Sequence, residues 1–249
     1  MIEEKQDIRS KKLFKNTIIV AIGQICTKFI SFLLLPLYTA FLQSKEYGIV
    51  DLLNTFVALI IPIISLQLEQ AVFRFLIDVR TDNKKTNNII NTTIIALVLQ
   101  SIIFIFFYMI ISFFWKNNYK IFLLLNVLVS MFASTFLQIA RGVGNNLLYS
   151  IGSIISGAGT IIFNVIFIVV FKINAYGMLL GTFLGNFICV MFLIYMLKLY
   201  KIINFKDYSK SILKELLKYS IPLIPNAISW WIVNASDRVI VSKFLRFRG

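Results

Sequence analysis

Four stretches of the chain, residues 89–115, 121–140, 142–171 and 173–197, contain no Asp, Glu, Lys or Arg. Each is long enough to cross a bilayer, since about 20 apolar residues span the hydrocarbon core. Three further stretches have the same hydrophobic pattern with a few charges inside: residues 16–42 with Lys28, 48–68 with Asp51, and 221–245 with Asp237, Arg238 and Lys243. The pattern predicts seven membrane-spanning helices, an all-α polytopic bundle. The connections at residues 43–47, 116–120 and 172–174 are short. Successive helices are therefore expected to be antiparallel neighbours, with no folded domain on that side of the membrane.

Composition strengthens this reading. The chain has 249 residues, 59% of them hydrophobic and only 14% charged, against roughly 25% charged in soluble domains. Its net charge of +14 would suit nucleic acid, but the positions of the basic residues argue otherwise. The segment before the first span and the loops after spans 2, 4 and 6 hold 16 of the 25 Lys and Arg, among them Lys11, Lys12, Lys15, Arg74, Arg80, Lys84, Lys85 and Arg141. This is the positive-inside bias. It predicts a cytoplasmic N-terminus and membrane lipid, not nucleic acid, as the partner of the basic residues. In the longest connection, Lys206, Lys210, Lys214 and Lys218 recur every four residues, while Phe205, Tyr208, Ile212, Leu216 and Tyr219 form the other face. An amphipathic helix on the cytoplasmic surface is expected there, its lysines towards anionic headgroups.

Charged side chains inside a bilayer are costly enough to be functional candidates by default. Gln24, Lys28 and Ser31 share one face of span 1. Asp51, Asn54, Thr55, Ala58, Pro62, Ser65 and Glu69 trace a stripe along span 2, as do Asn126, Ser130, Ser134, Gln138 and Arg141 along span 4. Span 7 contributes Asn226, Ser229, Asn234, Asp237 and Arg238. At helical spacing these faces are expected to meet in a common polar interior. Gly177, Gly181 and Gly185 on span 6, and Gly152, Ser153, Ser156, Gly157 and Thr160 on span 5, instead predict close helix packing. Pro36, Pro62, Pro222 and Pro225 lie in or at the start of spans and predict bends.

Catalytic constellations are not visible. The chain has no His, and its two cysteines, Cys26 and Cys189, fall in separate hydrophobic spans. No metal or redox motif follows from them, no cofactor is expected, and the sequence does not read as an enzyme.

The run Ile30-Ser31-Phe32-Leu33-Leu34-Leu35-Pro36-Leu37-Tyr38-Thr39, followed by Glu46-Tyr47-Gly48, resembles the opening of the Wzx-type polysaccharide-biosynthesis flippases of the MATE-like exporter superfamily. Two more stretches are similar: Leu68-Glu69-Gln70-Ala71-Val72-Phe73-Arg74-Phe75, and Ser220 to Asn226 running into Asn234-Ala235-Ser236-Asp237-Arg238. The resemblance implies a bacterial plasma-membrane protein that moves undecaprenyl-diphosphate-linked oligosaccharide by alternating access through a cationic cavity. It implies diphosphate-attracting roles for Lys28 and Arg238, with Arg74 and Arg141 beside them. Asp51, Glu69 and Asp237, with Asn54 and Asn234, would line the cavity or hold a coupling Na+ or H+. Ala40 stands where the family often has a basic residue. Other polysaccharide-assembly membrane proteins are the implied protein partners.

Such flippases have twelve to fourteen spans. Residues 1–199 are therefore expected to form an N-terminal six-span lobe, 200–220 a cytoplasmic amphipathic linker, and 221–249 the first helix of an incomplete second lobe. An alignment of residues 13–42 on 216–245, with six identical positions, agrees with a pattern that restarts at span 7. Three other readings stay open: a multidrug exporter of the same superfamily, which the mid-membrane Lys28 disfavours; a membrane glycosyltransferase or polymerase, which the short outer loops disfavour; and a truncated chain without transport activity.

Overall fold

A computed structural model describes residues 40–114, 118–204 and 208–246 together with Ala21, Ile25, Phe32, Pro36 and Tyr38; the side chains of Ser44 and of residues 237–246 are not described. Span 1, with Lys28, lies almost wholly outside the described residues. The described chain is helical: α1 (Ser44–Ile64), α2 (Leu68–Val79), α3 (Asn83–Phe114), α4 (Lys120–Gly142), α5 (Asn146–Val165), α6 (Asn174–Met196), the single turn α7 (Leu199–Ile202), α8 (Lys210–Ser220) and α9 (Ile224–Arg246). No strand occurs among the described residues.

Five of these helices are long and apolar enough to cross a membrane: Lys45–Ile64, Asn83–Phe114, Lys120–Gly142, Asn146–Val170 and Asn174–Met196. The protein is a multi-pass membrane protein. Helix α9 is also long enough, with 23 residues, but it carries Asp237, Arg238, Lys243 and Arg246 and is not among the five.

Several predicted boundaries move, each for a local reason. The second span does not run on to Leu68: α1 stops at Ile64, and Leu66 and Gln67 adopt left-handed backbone angles, φ 50° and 56°. An L-residue in that region costs about 1–2 kcal/mol, so tertiary contacts on both sides must hold the break. The stripe from Asp51 to Glu69 is therefore split between two helices. The fifth span begins at Asn146, not at Gly142, because Gly144 takes φ 90° and the Asn145 side chain caps α5 by accepting the Leu148 N–H at 3.0 Å. That turn uses the two residues best suited to it, Gly for positive φ and Asn as N-cap. Helix α5 ends in a π turn, Ile166–Val170.

Helices α5 and α6 touch backbone to backbone along their small residues. A Cβ on Gly185 would lie 2.5 Å from the Thr160 nitrogen and 2.8 Å from the Ser156 carbonyl oxygen. One on Gly177 would lie 2.9 Å from Phe167 Cβ. The Ser156 hydroxyl donates across the seam to Asn186 Oδ1 at 2.8 Å. On the other side of α6, Asn126 of α4 is buried and donates to the Leu179 carbonyl at 3.2 Å. Helix α4 thus lies at the centre, and its Val127, Met131 and Ile139 are fully buried. Phe106, Phe107, Met109, Phe113 and Phe114 of α3 point outwards and are more than half exposed.

At the ends of the bundle, polar side chains fix the helices to one another. Glu46 Oε1 accepts from Asn174 Nδ2 at 3.2 Å, joining the start of α1 to the start of α6. At the opposite end Arg80, just past α2, donates to the carbonyls of Gly142 and Arg141 at 2.6 and 3.1 Å. Both carbonyls belong to the last turn of α4, where the Arg141 carbonyl also accepts the Gly144 N–H at 3.0 Å, and a cation there suits the helix dipole. Arg80→Ala is expected to destabilise the fold by about 1.5–3 kcal/mol, the scale of hydrogen bonds from a charged donor, as read from its thermal unfolding in detergent.

The amphipathic segment forms α8, shorter than expected; Phe205 and Lys206 lie outside the described residues. Its apolar side covers protein. Leu216 is fully buried with Leu68, Ala71 and Ala96, and Ile212 and Leu213 pack beside it. Lys210, Lys214 and Lys218 are exposed. Tyr208 and Tyr219, expected on the apolar face, are exposed too, with Tyr219 set edge-on to Phe75 at 6.1 Å. The connection into α8 is pinned to α3: Asn91 donates to the Asn204 carbonyl and accepts its N–H, at 2.7 and 2.9 Å.

Candidate functional site

The break between α1 and α2 brings several polar groups together in a buried position. Ser65 is fully buried; its hydroxyl oxygen accepts the Gln67 N–H at 3.2 Å, and its carbonyl accepts from Gln100 Nε2 of α3 at 3.3 Å. One turn on, Glu69 is 7% exposed, and its carboxyl is hydrogen-bonded by Ser65. Its other oxygen, Oε2, has no hydrogen-bond partner, and neither has Gln100 Oε1. Burial pushes the Glu69 carboxyl above the usual range, and its backbone and Ser65 hydrogen bonds offset this only in part.

This shift predicts a pH dependence. The folded state holds the Glu69 proton more tightly than the unfolded chain, so the associated stability is complete below the ordinary carboxyl range. It is lost as pH rises through the raised folded-state value. The midpoint of thermal unfolding is expected to fall over that window and to fall less in Glu69→Gln.

Helices α2 and α4 run side by side. Arg141 of α4 lies over the Phe73 ring with its guanidinium carbon 4.5 Å from the centroid, and 5.8 Å from that of Tyr149. Its charge rests on aromatic faces, a cation–π arrangement. Gln138, one turn before Arg141, has a buried Oε1 without a partner. Arg74 is exposed and pairs with Asp78 at 2.7 Å.

The residues expected to share one polar interior are thus dispersed. Asp51 and Asn54 are half-buried on α1. Asn226, Ser229 and Asn234 of α9 are exposed, and Asn234 Nδ2 turns back to the Trp230 carbonyl at 2.8 Å. Asn126 belongs to the α4–α6 contact. Lys28 and the side chains of Asp237 and Arg238 lie outside the described residues. Helix α9 does meet α1, through Trp231 Nε1 donating to the Thr55 carbonyl at 2.8 Å.

Helices α1 and α3 part to leave a cavity of about 310 Å³, near the lower end of the size of small-ligand pockets. Phe56, Ile60 and Ile63 line one wall and Phe104, Phe107 and Ile111 the other, with Leu123 of α4 also lining it. The lining is almost purely apolar.

The profile of the polysaccharide biosynthesis protein family matches residues 13–246, nearly the whole chain. The chain belongs to that family. A curated relative, Lsg locus putative protein 1 of Haemophilus influenzae, is 34% identical over 64 residues, 26% of this chain and 16% of that protein. Among solved structures, a MATE transporter in its straight conformation superposes with a TM-score of 0.72 at 18% identity, covering 87% of this chain and 52% of the other. A MOP superfamily transporter from Pyrococcus furiosus, described as having a binding pocket of reverse polarity, matches with a TM-score of 0.69 at 18% identity, covering 86% and 53%. The fold of this polysaccharide biosynthesis protein is MATE-like, and the chain spans about half the length of those solved transporters.

Within this family member, Gln100 is the site residue that the sequence did not bring forward. It sits in a charge-free run of 27 residues, 89–115, and its one signal is being an amide among apolar side chains. Gln138 was visible as part of a stripe, but not as a buried group at the end of α4.

Proposed function

We propose that this polysaccharide biosynthesis protein takes part in moving a lipid-linked oligosaccharide, an undecaprenyl-diphosphate-linked O-antigen, capsule or teichoic-type unit, across the bacterial plasma membrane. Membership of the family over residues 13–246 carries this reading; the MATE-like fold supports it by supplying a helical bundle of transporter type. The apolar cavity between α1 and α3 is chemically suited to hydrocarbon, as a lipid substrate requires. Alternating access, biased by substrate and by a Na+ or H+ gradient, is the mechanism, because moving a headgroup needs two states of differing affinity. The N-terminus is cytoplasmic, which places Arg74, Arg80, Arg141 and the α8 lysines on the inner side. Lys28 and Arg238 attract the diphosphate.

The test is expression of the gene in a strain lacking its own flippase. Wild-type protein is expected to restore surface polysaccharide, and Lys28→Ala and Arg238→Ala to lower it at least tenfold at equal membrane abundance. Full restoration by both variants would overturn the cationic-cavity assignment. Failure of the wild type, together with newly acquired resistance to organic cations, would favour a multidrug exporter.

A further inference from the structure

Two helical stretches of the chain are interrupted, and the interruptions match. Between α1 and α2 the backbone turns through left-handed Leu66 and Gln67, closed by the Leu68 N–H on the Ser65 carbonyl at 3.0 Å. Between α8 and α9 stands the single turn Ile221–Leu223. Pro222 and Pro225 there have no N–H to give to the carbonyls of Lys218 and Ile221. Each break follows a fully buried serine, Ser65 or Ser220, and the Ser220 hydroxyl has no hydrogen-bond partner.

Contacts on both sides set the two breaks at one level. Trp231 Nε1 donates to the Thr55 carbonyl at 2.8 Å; Thr55 lies ten residues before Ser65, and Trp231 eleven after Ser220. Along a helix both are thus about 15 Å from their break. On the far side Leu216, four residues before Ser220, is buried with Leu68 and Ala71, three and six residues after Ser65. The four segments form two antiparallel pairs, α1 with α9 and α2 with α8, and each pair passes into the other through a break. The pairs are held differently. Arg80 binds the end of α2 to the last turn of α4, where a Cβ on Gly142 would lie 2.9 Å from Leu76 Cβ, and Asn91 and Thr92 pin the entry to α8. Helix α1 is joined to α3 at the break itself, where Gln100 Nε2 reaches the Ser65 carbonyl. From there towards the N-terminus of α1 the two helices part around the cavity of about 310 Å³.

We propose that the paired breaks are a double hinge, about which α1 and α9 swing as one body towards α3 while α2 and α8 stay in place. The cavity is the space that the swing consumes. Its walls are apolar, so they close on each other without stranding a polar group. Leu66 and Gln67 take up the change of backbone angle on one side and the Ile221–Leu223 turn on the other, as a few residues at element ends do in hinged proteins. Neither break contains a continuous helical ladder that the motion must disrupt. The structure described is the state with the gap open. Use of the hinge for alternating access rests on the transport reading above, whereas the motion itself does not.

Pulsed electron–electron distance measurements on the full chain in nanodiscs test this. Nitroxides are placed pairwise through Gly48→Cys on α1, Ser236→Cys on α9 and Phe113→Cys on α3, in a Cys26→Ser background that keeps the buried Cys189. Gly48 lies about 25 Å from the break, so a swing of roughly 10° moves it by about 4 Å. The pairs 48–113 and 236–113 are each expected to give two distances, in the same proportion, and the pair 48–236 a single one. Ile60→Trp, which fills the gap, is expected to remove the shorter 48–113 distance. Pro222→Ala with Pro225→Ala, which lets α8 and α9 join in one ladder, should remove it too. A single 48–113 distance without these changes, two 48–236 distances, or a shorter component untouched by Ile60→Trp would each overturn the proposal. Should the double proline variant fail to fold, Ile60→Trp decides alone. The distances are independent of transport. Two states without a polysaccharide phenotype would refute the transport reading alone, and a restored phenotype with one distance would refute the hinge alone.

Discussion

Gly185→Ala is expected to destabilise the bundle by about 1–3 kcal/mol, the usual cost of forcing atoms into a closely packed site, and Gly185→Val by more. The new Cβ would sit 2.5 Å from the Thr160 nitrogen and 2.8 Å from the Ser156 carbonyl. Both are backbone atoms of α5 and cannot swing aside. Relief requires α5 and α6 to separate, which also strains the hydrogen bond from Ser156 to Asn186. A membrane protein has little hydrophobic drive to hold two helices together, because lipid tails are as apolar as Leu, so nothing compensates for the lost contact. Thermal unfolding in detergent reads the effect. Gly48→Ala is the control, since no atom lies within 4 Å of its added Cβ; the helix preference for Ala over Gly makes that change neutral or mildly stabilising. Equal losses in both variants would show that the seam between α5 and α6 is not closely packed.

The second large effect is local. Leu216→Asp sets a carboxylate among Leu68, Ala71 and Ala96, where Leu216 has no exposure. An unpaired charge there costs several kcal/mol, more than one short amphipathic helix recovers by docking. Helix α8 is expected to leave α2 and α3 while the membrane-spanning helices keep their packing. Trypsin would then cut at Lys210, Lys214 and Lys218 at least tenfold faster than in the wild type, with little change in the unfolding of the remainder. A conservative Leu216→Met variant should protect the site nearly as well as Leu. Unchanged cleavage in the Asp variant would mean that α8 is held by its ends instead of its apolar face.

The spans were legible where the chemistry is one-dimensional. A charge-free run long enough to cross a bilayer has few alternatives, and the four such runs became α3, α4, α5 and α6. Boundaries failed where the signal is tertiary. Nothing local to Ser65-Leu66-Gln67 demands a break; Leu and Gln are ordinary helix formers, and their left-handed angles persist because α2 is packed against α4 and α8. The turn at Gly144-Asn145 did carry local signals, but they fell inside an apolar run and were absorbed into it. The small-residue stripe of α6 was read for packing, since Gly at four-residue spacing has little other use within a bilayer. The stripes of polar residues are a different case. Helical periodicity tells which residues share a face, not what the face meets: Asn126 and Asn234 lie on similar stripes, yet Asn126 is bonded to the Leu179 carbonyl of α6 and Asn234 to the Trp230 carbonyl of its own helix. Glu69 could be singled out because it is charged, whereas Gln100 has no periodic partner and emerges only when its amide meets the Ser65 carbonyl.

Helix α8 passes into α9 without slack: Ser220 leads directly into the single turn Ile221–Leu223, and α9 begins at Ile224. Pro222 and Pro225 stiffen that corner. The other end of α8 is tethered by the Ser209 N–H, which binds Thr92 Oγ1 at 3.3 Å, and by the Asn91–Asn204 pair. A tilt of α9 relative to α1 therefore cannot be taken up in a loose loop. It must either bend at the prolines or be passed along α8 as a pull on α2 and the N-terminal part of α3, the two helices that hold Glu69 and Gln100. The amphipathic helix is in this sense a connecting rod, joined at one end to α9 and along its length to the helix that carries the buried carboxyl.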